Sequence, residues 1–555
     1  MHKLETRNEK LETFLRSRPH HHVFLFALIF STIFLAHAPL LRLPYYWDEA
    51  GYYIPAAHDL LQTGSLIPQT IPSNAHPPLV MAWLALWWKL SGFTPAVTRT
   101  AMLLVAALGL AAVFRIARQA MNTQVALATT LCTALYPVWF AQSSMAHVDV
   151  AAAALGLWGL AFFLEDRRPL GIGAFSLAVL AKETAVIVPL ALAAWELSWW
   201  LLDHSSSRET RNVKRETSIA PPPQSLGRIL LLLVPAAVLA AWFAYHYHRT
   251  GYVFGNPEFF RYNVTEAAHP LRILLACLRR LWQVTGYMNL FVLTIAAALA
   301  MMFPPRPERN AAAGTRPRIA PHIQAAMLVV VLAHVVFLSF IGGAVLARYM
   351  LTAVPLLVIL CVSTLRRRVR GWPLVIAAAC AAFVFGLFVN PPHRFALEDN
   401  LAYRDYVLLH RSAADVLSSH YSTSRVLTAW PATDELTRPY LGYVKASLPV
   451  LPLENFSAPQ IFAAARDTST FDVAYVFSTK YEAPAQGAIL RWWERLQEPV
   501  FDYHSDLPPE VVARTFRGRI VWQQQRKGQW AAIIVLERAE NAKGLGTHQA
   551  LFPSY

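Results

Sequence analysis

The chain has 555 residues, of which 55% are hydrophobic and only 15% are charged. With a mean hydropathy of +0.35, this composition excludes an ordinary soluble globular protein and predicts a polytopic membrane protein. The formal net charge is +15, but the basic residues cluster in short loops between apolar segments. That distribution is typical of orientation by the positive-inside rule, so we expect no nucleic-acid partner.

The apolar segments predict eleven membrane spans, because about 20 apolar residues cross about 30 Å of hydrocarbon. A polar, basic stretch over residues 1–22 precedes them and is interpreted as a retained cytoplasmic leader. The spans are expected at 23–43, 95–117, 122–143, 148–164, 169–182, 184–202, 228–247, 286–303, 322–341, 349–365 and 372–390.

The segment HPPLVMAWLALWWKLSG at 76–92 is apolar enough to be mistaken for a span. Counting it as one would place later basic clusters on the opposite side, so we interpret it as a helix at the membrane interface, with Trp83, Trp87 and Trp88 at headgroup level. This choice predicts an N-terminus inside and a C-terminus outside. The predicted location is a bacterial cytoplasmic membrane, with the membrane of the endoplasmic reticulum as the alternative.

Two adjacent acids, Asp48 and Glu49, follow the first span in the segment WDEAGYY. They lie in the first outer loop, predicted over residues 44–94, which also contains the run AHPPL. Carboxylates cost several kcal/mol inside a bilayer, so acids next to a spanning helix require a reason. One reason is the capping of a following helix; the other is chemistry at the membrane surface.

Further polar residues are expected on the same outer side, at the ends of spans. Each also has a structural explanation: His76 as a surface residue, Asp149 as a helix cap, Lys182 with Glu183 as an ion pair, and Arg348 with Tyr349 as a membrane-surface anchor. Their shared side and order favour a common site, which also includes His147.

After the last span, residues 391–540 alternate strand-like runs at 424–430, 472–478 and 531–537 with helix-like runs. This pattern predicts a small extracytoplasmic α/β domain over residues 391–555 with a disordered tail. The polar segments 203–227 and 304–321 are interpreted as flexible linkers.

Four features follow one another in a fixed order along residues 20–390: an acidic pair after the first span, a double proline closing the first outer loop, Asp149 opening the fourth span, and Arg348-Tyr349 before a late span. Through these features the segment resembles the GT-C-type membrane glycosyltransferases, and among them the group of protein O-mannosyltransferases and lipid A aminoarabinose transferases. The resemblance implies a polyprenyl-phosphate-linked sugar donor and an acceptor hydroxyl or amine on a protein, lipid or glycan. The sugar is expected to be transferred with inversion at its anomeric carbon, and membrane lipids are expected to surround the protein.

The resemblance also implies roles for the matching residues. Asp48 corresponds to the acid that activates the acceptor, and Asp149 to the second outer-loop acid. For the donor phosphate we predict Arg348, Lys182 and His76 as ligands. Supporting positions are expected at Glu49, Tyr52, Tyr349, Glu183 and His147.

This chain departs from the aminoarabinose transferases at two places. Gly51 stands where they carry an arginine, and Ala75-His76 stands where they carry Glu-Lys. The donor and acceptor are therefore expected to differ from aminoarabinose and lipid A.

No cofactor is required by such a mechanism, although Asp48, His76 and Asp149 are residue types that could bind a divalent metal. Two other classes of protein fit the composition. One is a polytopic transporter, although its site would lie near the bilayer midplane and usually between repeats. The other is a membrane-anchored binding or assembly protein that acts through its outer domain.

Overall fold

The computed structural model describes residues 20–205, 225–257, 269–308, 315–341, 343–483, 487–501 and 505–537. These residues form two compact units. The first, called the membrane unit, contains the residues up to Leu41 and Ala56–Phe388; the second, called the C-terminal unit, contains Arg42–Pro55 and the residues from Val389 onward. The predicted leader, most of the 203–227 linker, part of the 304–321 linker and the predicted tail fall outside the described residues.

The membrane unit is built from apolar helices that match most of the predicted spans. Its main helices are His20–His37, Leu79–Ser91, Pro95–Ala120, Thr123–Leu135, Pro137–Gln142, Val148–Leu164, Arg168–Ala181, Ile187–Ser205, Leu226–Leu230, Val234–Thr250, Pro270–Thr285, Phe291–Ala300, Pro321–Ile341, Ala353–Arg368 and Trp372–Phe388.

The count of eleven spans is not confirmed. Among the described residues, five helices are long and apolar enough to cross a membrane, or six if one bent pair is a single span. The remaining apolar helices have 10–17 residues, because breaks in the helix divide several of the predicted spans. Pro137 ends one predicted span, because a proline cannot continue the hydrogen-bond ladder of the preceding helix, and a separate short helix follows it.

One helix, Pro270–Thr285, was not predicted. It carries Arg272, Arg279 and Arg280 among leucines, so its charges conceal it from a search for apolar runs. The helix is followed by Phe291–Ala300 at an angle of 98°. Met288 and Asn289 adopt positive φ values of 48° and 67° at this bend.

The segment predicted as an interfacial helix forms the 13-residue helix Leu79–Ser91. At 1.5 Å per residue it is too short to cross a bilayer. Trp83 donates from Nε1 to the Ala101 carbonyl oxygen, and Trp88 donates to the Thr98 hydroxyl. Trp88 is buried and packs on the helix Pro95–Ala120.

The C-terminal unit contains a five-stranded mixed sheet, which confirms the predicted small α/β domain. The strands are β1 Val426–Ala429, β2 Val450–Leu453, β3 Val473–Phe477, β4 Gly518–Arg526 and β5 Gln529–Leu536. Their order in the sheet is β2-β1-β3-β5-β4. β1 runs parallel to β2 and β3, whereas β5 is antiparallel to β3 and β4.

Strands β1, β3 and β5 coincide with the three predicted strand-like runs, and all their side chains are buried. Such continuous apolar runs are typical of strands covered on both faces. The helices of this unit are Ala402–His420, Ala432–Thr437, Ala458–Ala464, Ala488–Gln497 and Pro509–Phe516.

Candidate active site

The centre of the candidate site is Asp149, in the first turn of the helix Val148–Leu164. Its side chain does not cap that helix: Oδ1 accepts a hydrogen bond from Nζ of Lys182 at 2.6 Å, and Oδ2 lies 3.3 Å from Nε of Arg348. All three residues are at most 5% exposed. The alternative that Asp149 is a helix cap is therefore wrong, because its carboxylate is taken up by two cations.

Lys182 lies just after the helix Arg168–Ala181, where the backbone turns from helical to extended. The predicted ion pair between Lys182 and Glu183 is not formed, since Lys182 reaches Asp149 and Glu183 contacts Nδ1 of His76 at 3.1 Å. Lys182 is in an extended conformation and Glu183 begins the short 3₁₀ helix Glu183–Val186, so the two side chains reach different partners.

Arg348 is 3% exposed, so its alternative role as an anchor at the membrane surface is also wrong. Its guanidinium contacts His147 as well as Asp149, with NH1 at 3.1 Å from Nδ1 of His147. Gln142 lies at 2.8 Å from the same imidazole nitrogen. Asp149 and His147 therefore hold the arginine at two points.

His147 lies in the turn before the helix Val148–Leu164, and it is fully buried. Burial lowers the pKa of His147 well below its ordinary value, and the nearby charges of Arg348, Lys182 and Arg99 lower it further. The single hydrogen-bonding site of Nδ1 serves one of two partners: it accepts from NH1 of Arg348, which can only donate, or it donates to Oε1 of Gln142, which can only accept.

The ring of Tyr349 lies among three cations. Nζ of Lys182 is 3.7 Å from the ring centroid, and Cζ of Arg348 and Cζ of Arg280 are 5.7 Å and 5.8 Å from it. A cation over an aromatic face is attracted by the negative potential of that face. Tyr349, predicted as a supporting residue, thus brings the cations together.

Arg280, on the unpredicted helix Pro270–Thr285, is fully buried. Within the described part of the chain, none of its three guanidinium nitrogens has a hydrogen-bond partner. A buried guanidinium stays charged and is costly to bury without a partner. Its donors are available to an anion.

The cations Lys182, Arg348 and Arg280 lie around the ring of Tyr349. Two carboxylates lie beside them: Asp149 contacts Lys182 and Arg348, and Glu183 interacts with Lys182 while it pairs with His76. Arg280 contacts neither carboxylate and none of its guanidinium nitrogens has a hydrogen-bond partner in the described chain, so its donors can bind an anion, and arginine's planar fork is suited to phosphate oxygens. The arrangement therefore favours a phosphate group.

The run AHPPL is held within the same unit. Nε1 of Trp242 donates to the carbonyl oxygen of Ala75 at 2.8 Å, and Ala75 adopts a positive φ of 58°. His76 follows, half-buried and paired with Glu183. This places His76 beside Glu183, with its Nδ1 taken by a carboxylate.

The acidic pair Asp48-Glu49 lies in the C-terminal unit. Asp48 occupies the N-cap position of a single π-helical turn, Glu49–Tyr53, as the capping alternative predicts, but its side chain makes no capping hydrogen bond to that turn. Glu49 is fully buried and accepts a hydrogen bond from the backbone N–H of Tyr46 at 2.9 Å. Tyr52 is also buried. Glu49 therefore holds the turn together, whereas Asp48 is half-buried.

Two buried arginines were missed by the sequence analysis. Arg280 was hidden in an amphipathic helix, although a pair of arginines between leucines is itself a signal of a functional position in a membrane protein. Arg99 was hidden inside the predicted span 95–117; it is fully buried and donates to the Ser144 carbonyl oxygen at 3.0 Å. Among the described residues, no group of three His, Cys, Asp or Glu is arranged to hold a metal ion.

A family model described as dolichyl-phosphate-mannose-protein mannosyltransferase matches residues 75–216. None of the curated proteins matches the chain.

Among solved structures, the chain is similar to ArnT from Cupriavidus metallidurans in the apo state, with a TM-score of 0.52 at 14% identity over 92% of this chain and 97% of that one. The same protein bound to undecaprenyl phosphate aligns with a TM-score of 0.49 at 13% identity, over 94% and 100% of the two chains. The archaeal oligosaccharyltransferase AglB from Archaeoglobus fulgidus aligns with a TM-score of 0.45 at 12% identity, over 92% and 74%. The chain has the fold of the GT-C-type membrane glycosyltransferases, which confirms the resemblance inferred from its motifs.

Proposed function

We propose that this protein transfers a sugar from a polyprenyl-phosphate donor to a hydroxyl or amine acceptor at the membrane surface, with inversion at the anomeric carbon. The observation that carries the proposal is the gathering of three buried cations, Lys182, Arg348 and Arg280, around the ring of Tyr349, with Arg280 lacking a hydrogen-bond partner in the described chain. The family model that matches residues 75–216 has a description that names a donor of this class, a dolichyl-phosphate sugar.

The donor phosphate is assigned to the cationic cluster. Lys182 and Arg348 are oriented by Asp149, while Arg280 retains all of its donors. His76, paired with Glu183, is assigned to the edge of this phosphate site. Preorganised cations aimed at developing charge are among the largest contributions to catalysis.

The reaction breaks the bond between the anomeric carbon and the phosphate oxygen, and the electron pair leaves with the phosphate. The acceptor oxygen or nitrogen forms the new bond from the opposite face of the sugar. Its proton goes to Asp48, the proposed general base, a contribution of about 10²–10⁴ in rate. Lys182, Arg348 and Arg280 stabilise the negative charge that the phosphate gains.

Asp149 receives a different role from the one that the resemblance implied. Its two carboxylate oxygens contact Lys182 and Arg348 at 2.6 Å and 3.3 Å. Both oxygens are occupied by cations, so we assign Asp149 to orienting Lys182 and Arg348, and Asp48 to proton removal.

The proposal is tested by Asp48→Asn in membranes supplied with a polyprenyl-phosphate sugar and mixed acceptors. We expect transfer to fall by about 10²-fold or more, as for the loss of a general base. Transfer within threefold of the parent enzyme would remove Asp48 from this role. A titration with chelator in the same assay tests the separate proposal that a divalent metal takes part.

Donor binding is tested separately with Arg348→Met. Retention of a polyprenyl phosphate by the purified variant at the parent affinity would contradict the assignment of the cluster to the phosphate. The membrane-unit assignment and the Asp48 assignment can therefore fail independently.

A further inference from the structure

The C-terminal unit has the strand arrangement of a ligand-binding α/β domain. Its parallel strands have the order β2-β1-β3, so β2 and β3 lie on opposite sides of β1. In open α/β sheets of this kind, ligands bind beyond the carboxyl ends of the strands, at the point where the strand order reverses. Here that point lies between β1 and β3, and Trp430 is the first residue after β1.

A segment from the other end of the chain contacts this edge. The residue Trp47 lies edge-on to Trp430, with ring centroids 4.9 Å apart. Gly51 is closer still: a Cβ at this glycine would lie 2.7 Å from Cζ2 of Trp430. The backbone turn that contains Asp48 is therefore contacted on both sides of Asp48 by one indole.

The chain before Asp48 is held to the same unit by hydrogen bonds. The N–H of Tyr45 donates to the Leu441 carbonyl oxygen at 3.3 Å, and the hydroxyl of Tyr443 donates to the Tyr45 carbonyl oxygen at 2.9 Å. Trp47 follows with a positive φ of 44°. A non-glycine residue keeps such a conformation only where its surroundings determine it.

A rigid aromatic base lies beneath this segment. Tyr406 contacts Tyr46 and Trp47, with centroid distances of 5.3 Å and 5.8 Å. His410 stacks on Tyr406 at 3.9 Å, and its Nδ1 is 2.6 Å from the carboxylate of Glu435. This buried pair fixes the ring on which the segment rests.

We propose that the C-terminal unit holds the Asp48 segment in the place where other α/β domains hold a ligand, and that Trp430 is the positioning residue that sets the orientation of Asp48. The inference rests on the proposed role of Asp48 as general base. Trp430 touches no reacting atom in this scheme; it acts through Gly51 and Trp47. The C-terminal unit is then a part of the catalytic machinery rather than an accessory.

The first test is a double-mutant cycle between Gly51→Ala and Trp430→Leu. In the parent background, Gly51→Ala adds a Cβ against the indole, so we expect kcat to fall by about 10–100-fold with the KM for the donor unchanged. In the Trp430→Leu background the same Cβ meets no indole, so Gly51→Ala should cost nothing further. Equal losses in both backgrounds would overturn the proposal.

Matched controls come from the same unit. Trp492 is an exposed tryptophan on the helix Ala488–Gln497, and Gly487 has open space where a Cβ would be added. Trp492→Leu and Gly487→Ala should leave kcat at the parent value. A loss of kcat in these controls equal to that of the test variants would assign the effect to general destabilisation and overturn the proposal.

The second test is independent of activity. Hydrogen exchange of residues 45–53 should become faster by tenfold or more in Trp430→Leu and stay unchanged in Trp492→Leu. Unchanged exchange in Trp430→Leu would overturn the positioning role, whatever Asp48→Asn does to transfer. Conversely, Asp48→Asn could keep its activity while exchange becomes faster in Trp430→Leu. That result would refute the proposed base and would still support the contact between Trp430 and the Asp48 segment.

Discussion

The helix Arg168–Ala181 has a buried ion pair at each end, and the two pairs differ in their balance of charge. At its start, Arg168 donates to both carboxylate oxygens of Glu196 at 3.0 Å and 2.6 Å. Just after its end, Lys182 and Arg348 share the one carboxylate of Asp149, with Arg280 nearby and without a hydrogen-bond partner in the described chain. About 20 Å separates the two ends, at 1.5 Å per residue.

In the pair of Arg168 and Glu196 one cation meets one carboxylate, whereas at the other end two cations share the carboxylate of Asp149. A bidentate arginine–carboxylate pair neutralises both charges and leaves little for a ligand. An excess of buried cations costs stability unless an anion joins it. Burial and ion pairing alone therefore do not distinguish a structural site from a functional one in this protein, but the balance of charge does.

The largest effect that would separate the two sites is expected from Arg280→Met. We expect kcat/KM for a polyprenyl-phosphate sugar to fall by about 10²–10³-fold, as for the loss of one preorganised donor to a developing charge. The thermal stability of the donor-free protein should rise, because an unpaired buried charge is removed. Transfer kinetics and thermal unfolding in detergent measure the two effects.

Arg279→Met is the matched control, since the neighbouring arginine is only half-buried. If Arg280→Met lost stability while keeping transfer, Arg280 would be a structural residue and the contrast between the two helix ends would disappear.

At the other end, Glu196→Gln removes the carboxylate that both terminal nitrogens of the buried Arg168 bind, and leaves only the longer contact of its Nε with Asp166 at 3.4 Å. Breaking one partner of a buried pair costs about 3–5 kcal/mol of unfolding free energy, whereas replacing both partners by apolar residues is close to neutral. The double variant Arg168→Met/Glu196→Leu should therefore recover the melting temperature. Turnover per folded molecule should stay at the parent level in both; a hundredfold loss would give this pair a functional role.

The smallest effect concerns His147, whose pKa is lowered by burial and by the adjacent cations. The folded state keeps the imidazole neutral, while the unfolded chain takes up a proton near the ordinary value of 6.5. This contribution to stability is present above that pH and is lost as the pH falls below it, by up to about 1.4 kcal/mol per pH unit. The melting temperature between pH 7.5 and 5.5 should fall less in His147→Gln than in the parent.

Exposed His248→Gln serves as the control for that measurement. A pH dependence that His147→Gln leaves unchanged would show that the imidazole is not held neutral by the cluster.

Much of the fold was predictable because it depends on local patterns. The apolar helices and the strands β1, β3 and β5 each extend over a continuous apolar run in the sequence. The predicted topology puts the span ends that carry Asp149, Lys182 and Arg348 on one side, and the structure brings these three residues together.

The partners of these residues were not predictable, because they depend on packing between distant segments. Lys182 is 33 residues from Asp149, and nothing local distinguishes that contact from a pair with Glu183. Arg280 lies on an amphipathic helix, and its sequence pattern does not indicate which face packs against the rest of the protein. The assignment of Asp48 to the C-terminal unit depends on Trp430, almost four hundred residues later in the chain.

That long separation has a consequence for biosynthesis. The hydroxyl of Tyr443 reaches a carbonyl oxygen 398 residues earlier, and at about 5–20 residues per second a ribosome needs about 20–80 s to make the intervening chain. Throughout this interval the part of the C-terminal unit that contacts the Asp48 segment has not yet been synthesised. A nascent or prematurely terminated polypeptide would thus be inserted without an ordered Asp48, and competence to react with a scarce lipid-linked sugar would arise only once translation is complete.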